Sequence, residues 1–322
     1  MTVSICIPTR NRPGYLLDCL ASCLRQTRLP DEILIGDDSD DIATSDALSG
    51  YLKTRRPEID IRYFRNSPSL GQARNVDRLF HEAHGDFLCL IHDDDLLLET
   101  ALENLLSCVT KPEVIVAFGL QKVAEDSGTL DEEKSLFLNR CYFRSEEYEG
   151  VQESLLESAL TSQLPNNGFL VTAACARATG YHDPDGAFGT GADFGFGVRL
   201  ALMYPEGKAF FLHQPTAVYR ESSDSIQRSG RSTAAFHAFA HLIAYPEEIQ
   251  QRERVSMTLR RKAPVAVLQA ATAGRWREGF SWYFGKWHRH LITTPGGVRR
   301  FLLLLMAMAR SWRRPFDGEF PR

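Results

Sequence analysis

The sequence predicts an α/β fold: a mostly parallel central sheet flanked by helices, followed by a helical C-terminal extension. Three observations carry that expectation. Short apolar runs rich in β-branched residues alternate with segments of helical spacing through the first 120 residues, as in a parallel sheet covered on both faces. Three of these runs open into polar or acidic loops, and the loops beyond the carboxyl ends of such strands are where ligands bind. Finally, residues 252–322 hold 15 Lys and Arg against four acids, a net of +11, whereas the rest of the chain carries −15.

Taken in order, residues 3–8 read as a first strand, 9–14 as a loop containing Asn11 and Pro13, and 15–26 as a helix. Residues 32–36 form a second strand, 37–41 an acidic loop, and 43–55 a helix. A third strand is expected at 59–64, a helix at 70–83, and a fourth strand at 87–91 that runs into His92, Asp93, Asp94 and Asp95. A helix over 96–109 and a strand over 114–118 complete the first half. Residues 124–163 are polar and acidic, with a weak helical signal at 151–160, and read as an insertion or lid. Strands at 167–174 and 209–218, a glycine-rich loop at 180–191 and a helix at 194–203 follow, with basic helices beyond 245.

An apolar content of 43% and a charged content of 24% over 322 residues suit a folded globular chain rather than a disordered one. Seven cysteines, an odd number without metal-type spacing, read as reduced thiols in a cytosolic core, Cys19 and Cys23 standing one helical turn apart. The N-terminus lacks the pattern of a signal peptide. The longest apolar run, 301–309, has nine residues against the roughly 20 that a spanning helix needs, so no membrane crossing is expected.

The loops carry the chemistry. Pro8, Thr9, Arg10, Asn11 and Arg12 follow the first strand, Asp37 and Asp38 the second, and Asp93, Asp94 and Asp95 the fourth, so all three fall on one edge of the sheet. Adjacent carboxylates raise one another's pKa unless a cation neutralises them. A hard divalent ion such as Mg²⁺ or Mn²⁺, completed by phosphate oxygens, is the simplest remedy. The competing reading makes one of the three Asp residues the cap of a helix starting near Leu96. Asp37 and Asp38 can accept from a nucleobase or ribose, or can cap the next helix. His237 and His241 have a chelating spacing but lack the Glu of a zinc peptidase motif, and packing suits them better.

These segments together resemble the family 2 glycosyltransferases, inverting enzymes of the GT-A nucleotide-diphospho-sugar transferase fold. Residues 4–12 resemble that family's opening strand and loop, and 32–39 its second strand with a base-contacting second Asp, here Asp38. Gly71-Gln72-Ala73-Arg74-Asn75 resembles its Gly-x-x-x-Arg-Asn segment near the diphosphate, and 85–95 the strand delivering an Asp-x-Asp metal motif. Gly180-Tyr181-His182-Asp183 resembles its Gly-x-Phe-Asp turn, and Gly191-Ala192-Asp193-Phe194 the segment of its catalytic base. The likeness covers 2–225. It departs at Ala192, where the family often has Glu, at Ser222, where a His often falls, and at Gly36, where a branched residue is usual.

The resemblance implies a GT-A catalytic domain over 1–245, with a nucleotide-binding half at 1–120 and an acceptor half at 160–225, and a separate basic helical region over 246–322. It implies a nucleotide-diphosphate-sugar donor and Mn²⁺ or Mg²⁺ held by Asp93 and Asp95. Pro8, Thr9, Arg10, Asn11, Asp38, Gly71, Arg74 and Asp94 would line the donor, with His92 beside them. Asp193 would take the proton of a saccharide or lipid-linked acceptor hydroxyl, Asp183 and Asp185 being the alternatives. The tail mixes Trp276, Trp282, Trp287 and Trp312 with Arg299, Arg300, Arg310, Arg313 and Arg314, which suits either a peripheral membrane contact or packing, a homodimer included. No motif supports nucleic-acid binding. A nucleotidyltransferase would show a Gly-rich phosphate loop after the first strand, where 8–14 has one glycine, and a phospho-acceptor domain would need acids there. A catalytically inactive sugar-nucleotide-binding subunit is the remaining alternative.

Overall fold

The computed structural model describes residues 1–55, 57–221 and 232–312, so Ser222, Arg313 and Arg314 lie outside the described residues. The chain divides into two compact units, Met1–Gly186 with Ala192–Arg228, and Ala187–Gly191 with Ser229–Arg322.

The first unit runs β1 (Val3–Thr9), α1 (Pro13–Cys23), β2 (Glu32–Asp37), α2 (Ala43–Arg55), β3 (Asp60–Arg65), α3 (Gln72–Glu82), β4 (Phe87–Leu90), β5 (Leu96–Leu97) and α4 (Ala101–Cys108). It continues through β6 (Val114–Glu125), β7 (Leu130–Asp131), α5 (Glu132–Cys141), β8 (Gly150–Val151), α6 (Leu155–Leu160), β9 (Phe169–Thr172), α7 (Ala173–Thr179), α8 (Ala192–Met203) and β10 (Lys208–Glu221). The sheet order is β3-β2-β1-β4-β9-β6-β10-β5. β3, β2, β1 and β4 pair in parallel, β9 is antiparallel to both of its neighbours, and β6 pairs with β10 in parallel. Every residue of β1 and β2 is buried, because helices cover both faces, which is why these strands read as continuous rather than alternating apolar runs. Leu16 and Leu20 of α1 and Leu102 and Leu105 of α4 join Ile5, Ile7, Ile33 and Ile35 in one core. All seven cysteines are free, six of them buried, and burial pushes the Cys6, Cys19 and Cys89 thiols up.

Three sequence expectations are corrected. The helix expected from residue 96 begins at Ala101, because Leu96 and Leu97 pair antiparallel with Val218 and Ala217 of β10. The strand expected over 167–174 ends at Thr172, and Ala173 opens α7. The polar stretch read as an insertion or lid is an ordered continuation of the sheet layer. Ser135 Oγ of α5 accepts from Val123 N at 2.8 Å, and Asn139 Nδ2 donates to Gln121 O at 2.8 Å. Polar side chains on the inner face of α5 thus bond the β6 backbone beyond the reach of β9, next to the short pairing of β6 with β7, so an apolar periodicity could not announce that helix.

The second unit comprises α9 (Ala234–Ile243), α10 (Glu247–Gln250), α11 (Glu253–Thr272), α12 (Trp276–Phe284) and α13 (Pro295–Trp312). Its core joins Val267, Tyr283 and Leu304, with Phe280 and Phe301 packed against them. Gly279 admits the close approach of α12: a Cβ there would collide with the Leu304 side chain. Leu304 is fully buried, so Leu304→Ala will cost about 2–5 kcal/mol in unit stability, read by chemical denaturation; an unshifted midpoint would mean that α13 does not hold this core. His241 packs on Phe188 and Tyr245, with ring centroids 4.9 and 5.2 Å apart, in the packing role that its spacing left open. Among the described residues no helix is long and apolar enough to cross a membrane.

Candidate active site

The loops after β1 and β2 are laced together. Asp38 N donates to Thr9 O at 2.9 Å, and Asn11 N donates to Ser39 Oγ at 2.8 Å. Asn11 exchanges side-chain and backbone bonds with Asp40 at 2.8 and 2.9 Å, and Arg10 pairs with Asp40 at 3.1 Å. Asn11 adopts a left-handed φ of 55°, a conformation that Asn tolerates better than most residues. Pro8 lies in register with Gly36, and a Cβ at Gly36 would collide with the Asn75 amide, which donates to Gly36 O at 2.7 Å. That contact explains why a branched residue is absent before Asp37.

The two acids after β2 have separate duties. Asp37 accepts from Tyr63 Oη at 2.6 Å and from Ser39 N at 2.8 Å, which fixes the turn. Asp38 is buried and accepts from Asn66 Nδ2 at 2.7 Å and Leu70 N at 3.1 Å. Gly71, at a φ of 80°, then stands at the N-cap of α3, which carries Arg74 and Asn75.

The trio after β4 is the most constrained part of the site. The capping alternative fails, since α4 starts at Ala101, six positions after Asp95, with Thr100 at its N-cap. Asp93 accepts from Thr9 Oγ1 at 2.7 Å and pairs with Arg12 Nη2 at 2.8 Å, while Arg12 Nη1 reaches Asp94 at 2.7 Å. Asp95 is fully buried; its carboxylate accepts from Arg220 N at 2.9 Å and from the Asn167 amide. Burial pushes Asp93 up to about 6, against the pull of Arg12. Burial, with Asp94 adding to it, likewise holds Asp95 well above the ordinary carboxylate range. Burial acts to lower Arg12, but Asp93 and Asp94 outweigh it and hold the guanidinium above its usual value.

The sequence paired Asp93 with Asp95 as metal ligands. The structure engages Asp93 with Arg12 and Thr9, and it gathers His92, Asp94 and Asp95 so that one ligand atom from each lies within 4.8 Å of the others. His92 Nε2 is buried without a hydrogen-bond partner among the described residues. One imidazole nitrogen and two carboxylates suit a divalent ion of the Mn²⁺ type, so the donor set fits the implied metal.

A second group of residues hangs on the turn at 180–182. Tyr181 N donates to Asp77 Oδ1 at 2.7 Å, and Arg199 Nη2 donates to Gly180 O and Tyr181 O at 3.0 Å each. Arg74 Nε donates to His182 Nε2 at 3.2 Å, and the Tyr181 hydroxyl donates to Asp193 Oδ1 at 2.5 Å. The candidate diphosphate contact and the candidate base are therefore tied to adjacent residues of one turn. Asp193 lies inside the first turn of α8, which begins at Ala192, with its carboxylate committed to Tyr181. Asp185 is exposed on the glycine-rich loop.

Sequence reasoning left four of these residues without a role: Arg12, Asn167, Tyr181 and Arg220. Arg12 follows the first strand directly, and a cation in a loop that shares its sheet edge with three acids was a usable signal. Asn167 and Tyr181 act through contacts that only the tertiary fold creates.

A sequence model of the family described as Glycosyl transferase family 2 matches residues 4–173. A stretch of 107 residues is 34% identical to the abequosyltransferase RfbV of Salmonella typhimurium, covering 33% of this chain and 32% of that one. The curated relatives are matched over about a third of their own length. Among solved structures, S. aureus TarS residues 1–349 in complex with UDP aligns with a TM-score of 0.60 at 12% identity, covering 100% of this chain and 94% of that one. The mannosyltransferase PcManGT from Pyrobaculum calidifontis, in complex with GDP-Man and Mn²⁺, gives 0.56 at 16% identity, covering 98% and 88%. At such identities the structural likeness speaks for the fold, a GT-A arrangement of mixed α/β layers with a helical C-terminal region.

Proposed function

This chain belongs to glycosyl transferase family 2, and from that premise we propose that it is an inverting, metal-dependent transferase. It moves a sugar from a nucleotide-diphosphate donor to an acceptor hydroxyl in polysaccharide or glycolipid assembly. The observation that carries the reading is the His92, Asp94 and Asp95 cluster beside the laced loops of Thr9, Asn11 and Asp38. Asp38 and the loop of Pro8, Thr9, Arg10 and Asn11 hold the nucleoside, and Gly71 and Arg74 face the diphosphate. A divalent ion held by Asp95 and Asp94 with His92 supplies positive charge against the departing diphosphate. Asp193 accepts the acceptor's proton as that oxygen bonds to the anomeric carbon; the bond to the diphosphate breaks, its electron pair leaving with the nucleotide. Titration calorimetry with UDP, GDP and dTDP, each with and without Mn²⁺, tests the donor site. One nucleotide is expected to bind only with the ion, and binding of none would sink the reading.

The second unit supports work at the inner face of the cell membrane from the cytoplasm. On α13, Val298, Leu302 and Met306 lie one turn apart and are about half exposed, the helix carries Arg299, Arg300 and Arg310, and its sequence contains no acid. An apolar stripe fringed by arginine suits an anionic membrane surface. Sedimentation with phosphatidylglycerol vesicles should carry the protein down, and Leu302→Glu should release it. A concentration-dependent dimer with no vesicle binding would assign the stripe to a second copy instead.

A further inference from the structure

We propose that Tyr181 is a positioning residue for Asp193, holding its carboxylate in the orientation that receives the acceptor's proton. The inference rests on the reading of Asp193 as the base. The family's Gly-x-Phe-Asp turn leaves the position of Tyr181 unspecified, so the resemblance gives it no role.

The geometry assigns one. A phenol at this site is unexpected on packing grounds alone, because the ring is buried and a phenylalanine would fill the same space. Its ring is held by Phe80 and Phe196, with centroids 5.7 and 5.3 Å away, the first edge-on. Its backbone is pinned at both ends, N–H to Asp77 of α3 and C=O to Arg199 of α8. Both helices that could shift the ring are therefore tied to it, and its one polar atom is aimed at Asp193 Oδ1. Burial, with Asp193 adding to it, drives the Tyr181 hydroxyl well above its ordinary pKa, so it stays a donor across the working range. Occupying Oδ1 with a fixed donor leaves Oδ2 to take the proton and removes the carboxylate's rotational freedom. Holding a reacting group in place in this way is worth a large share of a barrier, and a misplacement of about 1 Å costs roughly 100-fold in rate.

Tyr181→Phe keeps the ring and deletes only the hydroxyl. The test compares wild type, Tyr181→Phe, Asp193→Asn and the double variant as full-length protein. The assay follows hydrolysis of UDP-, GDP- and dTDP-hexoses with water as acceptor, by release of the nucleoside diphosphate, and each variant's thermal transition is recorded alongside. Tyr181→Phe should lower kcat by about 10- to 100-fold with donor KM and the thermal transition unchanged. In the Asp193→Asn background the same change should do nothing more, because a hydroxyl that acts through Asp193 has nothing left to position. A wild-type kcat in Tyr181→Phe, or losses that multiply in the double variant, would overturn the inference while leaving Asp193 as the base. A loss confined to KM or to the thermal transition would reduce Tyr181 to packing. An Asp193→Asn enzyme with undiminished kcat would instead remove the reading on which the inference stands.

Discussion

Asp193→Asn will lower kcat by roughly three orders of magnitude while leaving nucleotide affinity unchanged, since general-base catalysis contributes about 10²–10⁴. The substitution is nearly isosteric and leaves α8 beginning at Ala192. An amide can still accept from the Tyr181 hydroxyl, so the local structure survives and only the capacity to take a proton is lost. In the proposed role the proton is taken only in the transition state, so the loss is expected in kcat and not in donor binding. Turnover at saturating donor is the measurement. Near-normal turnover would move the role to Asp183 or Asp185, the other acids of the preceding loop.

Asp95→Asn will remove the Mn²⁺-dependent part of nucleotide binding, a loss of more than about 100-fold in affinity by calorimetry. Asp95 is the acid whose surroundings are least adjustable. It is fully buried, and its carboxylate is met by two donors, Arg220 N and the Asn167 amide. An asparagine would turn an N–H₂ group toward one of those donors, so charge and hydrogen bonding are lost together. Binding that persists undiminished with Mn²⁺ would show that the ion, if used, is held without Asp95.

Most of the fold was legible because its signals are local. The β1, β2 and β4 runs are buried on both sides and read as continuous apolar strands, and the acidic loops after them mark the carboxyl edge. What escaped depended on distant partners. Leu96 and Leu97 have an apolar pattern that fits a helix as well as a strand, and only β10, more than a hundred residues later, makes them a strand. The α5 helix packs through Ser135 and Asn139, so its buried face looks polar in sequence. The same limit applied at the site. The Asp-x-Asp likeness named Asp93 with Asp95, and it could not show the ion pair of Asp93 with Arg12 or the approach of His92 and Asp94 to Asp95. Tyr181 was one unassigned letter of a turn until the fold placed α3 and α8 on either side of it.

The guanidinium that spans Asp93 and Asp94 has a consequence for the life of the protein before it meets a substrate. Three neighbouring carboxylates would ordinarily make a chain depend on an added ion to close, as small zinc modules do. Here the counter-charge is encoded four positions beyond Pro8, on the loop that must fold anyway for β1 to reach α1. Arg12 thus pairs with two of the three carboxylates from within the chain, so closing this loop does not call for an added ion. On that reading, protein folded without added Mn²⁺ should show the same thermal transition as protein folded with it, the ion bearing on nucleotide binding alone.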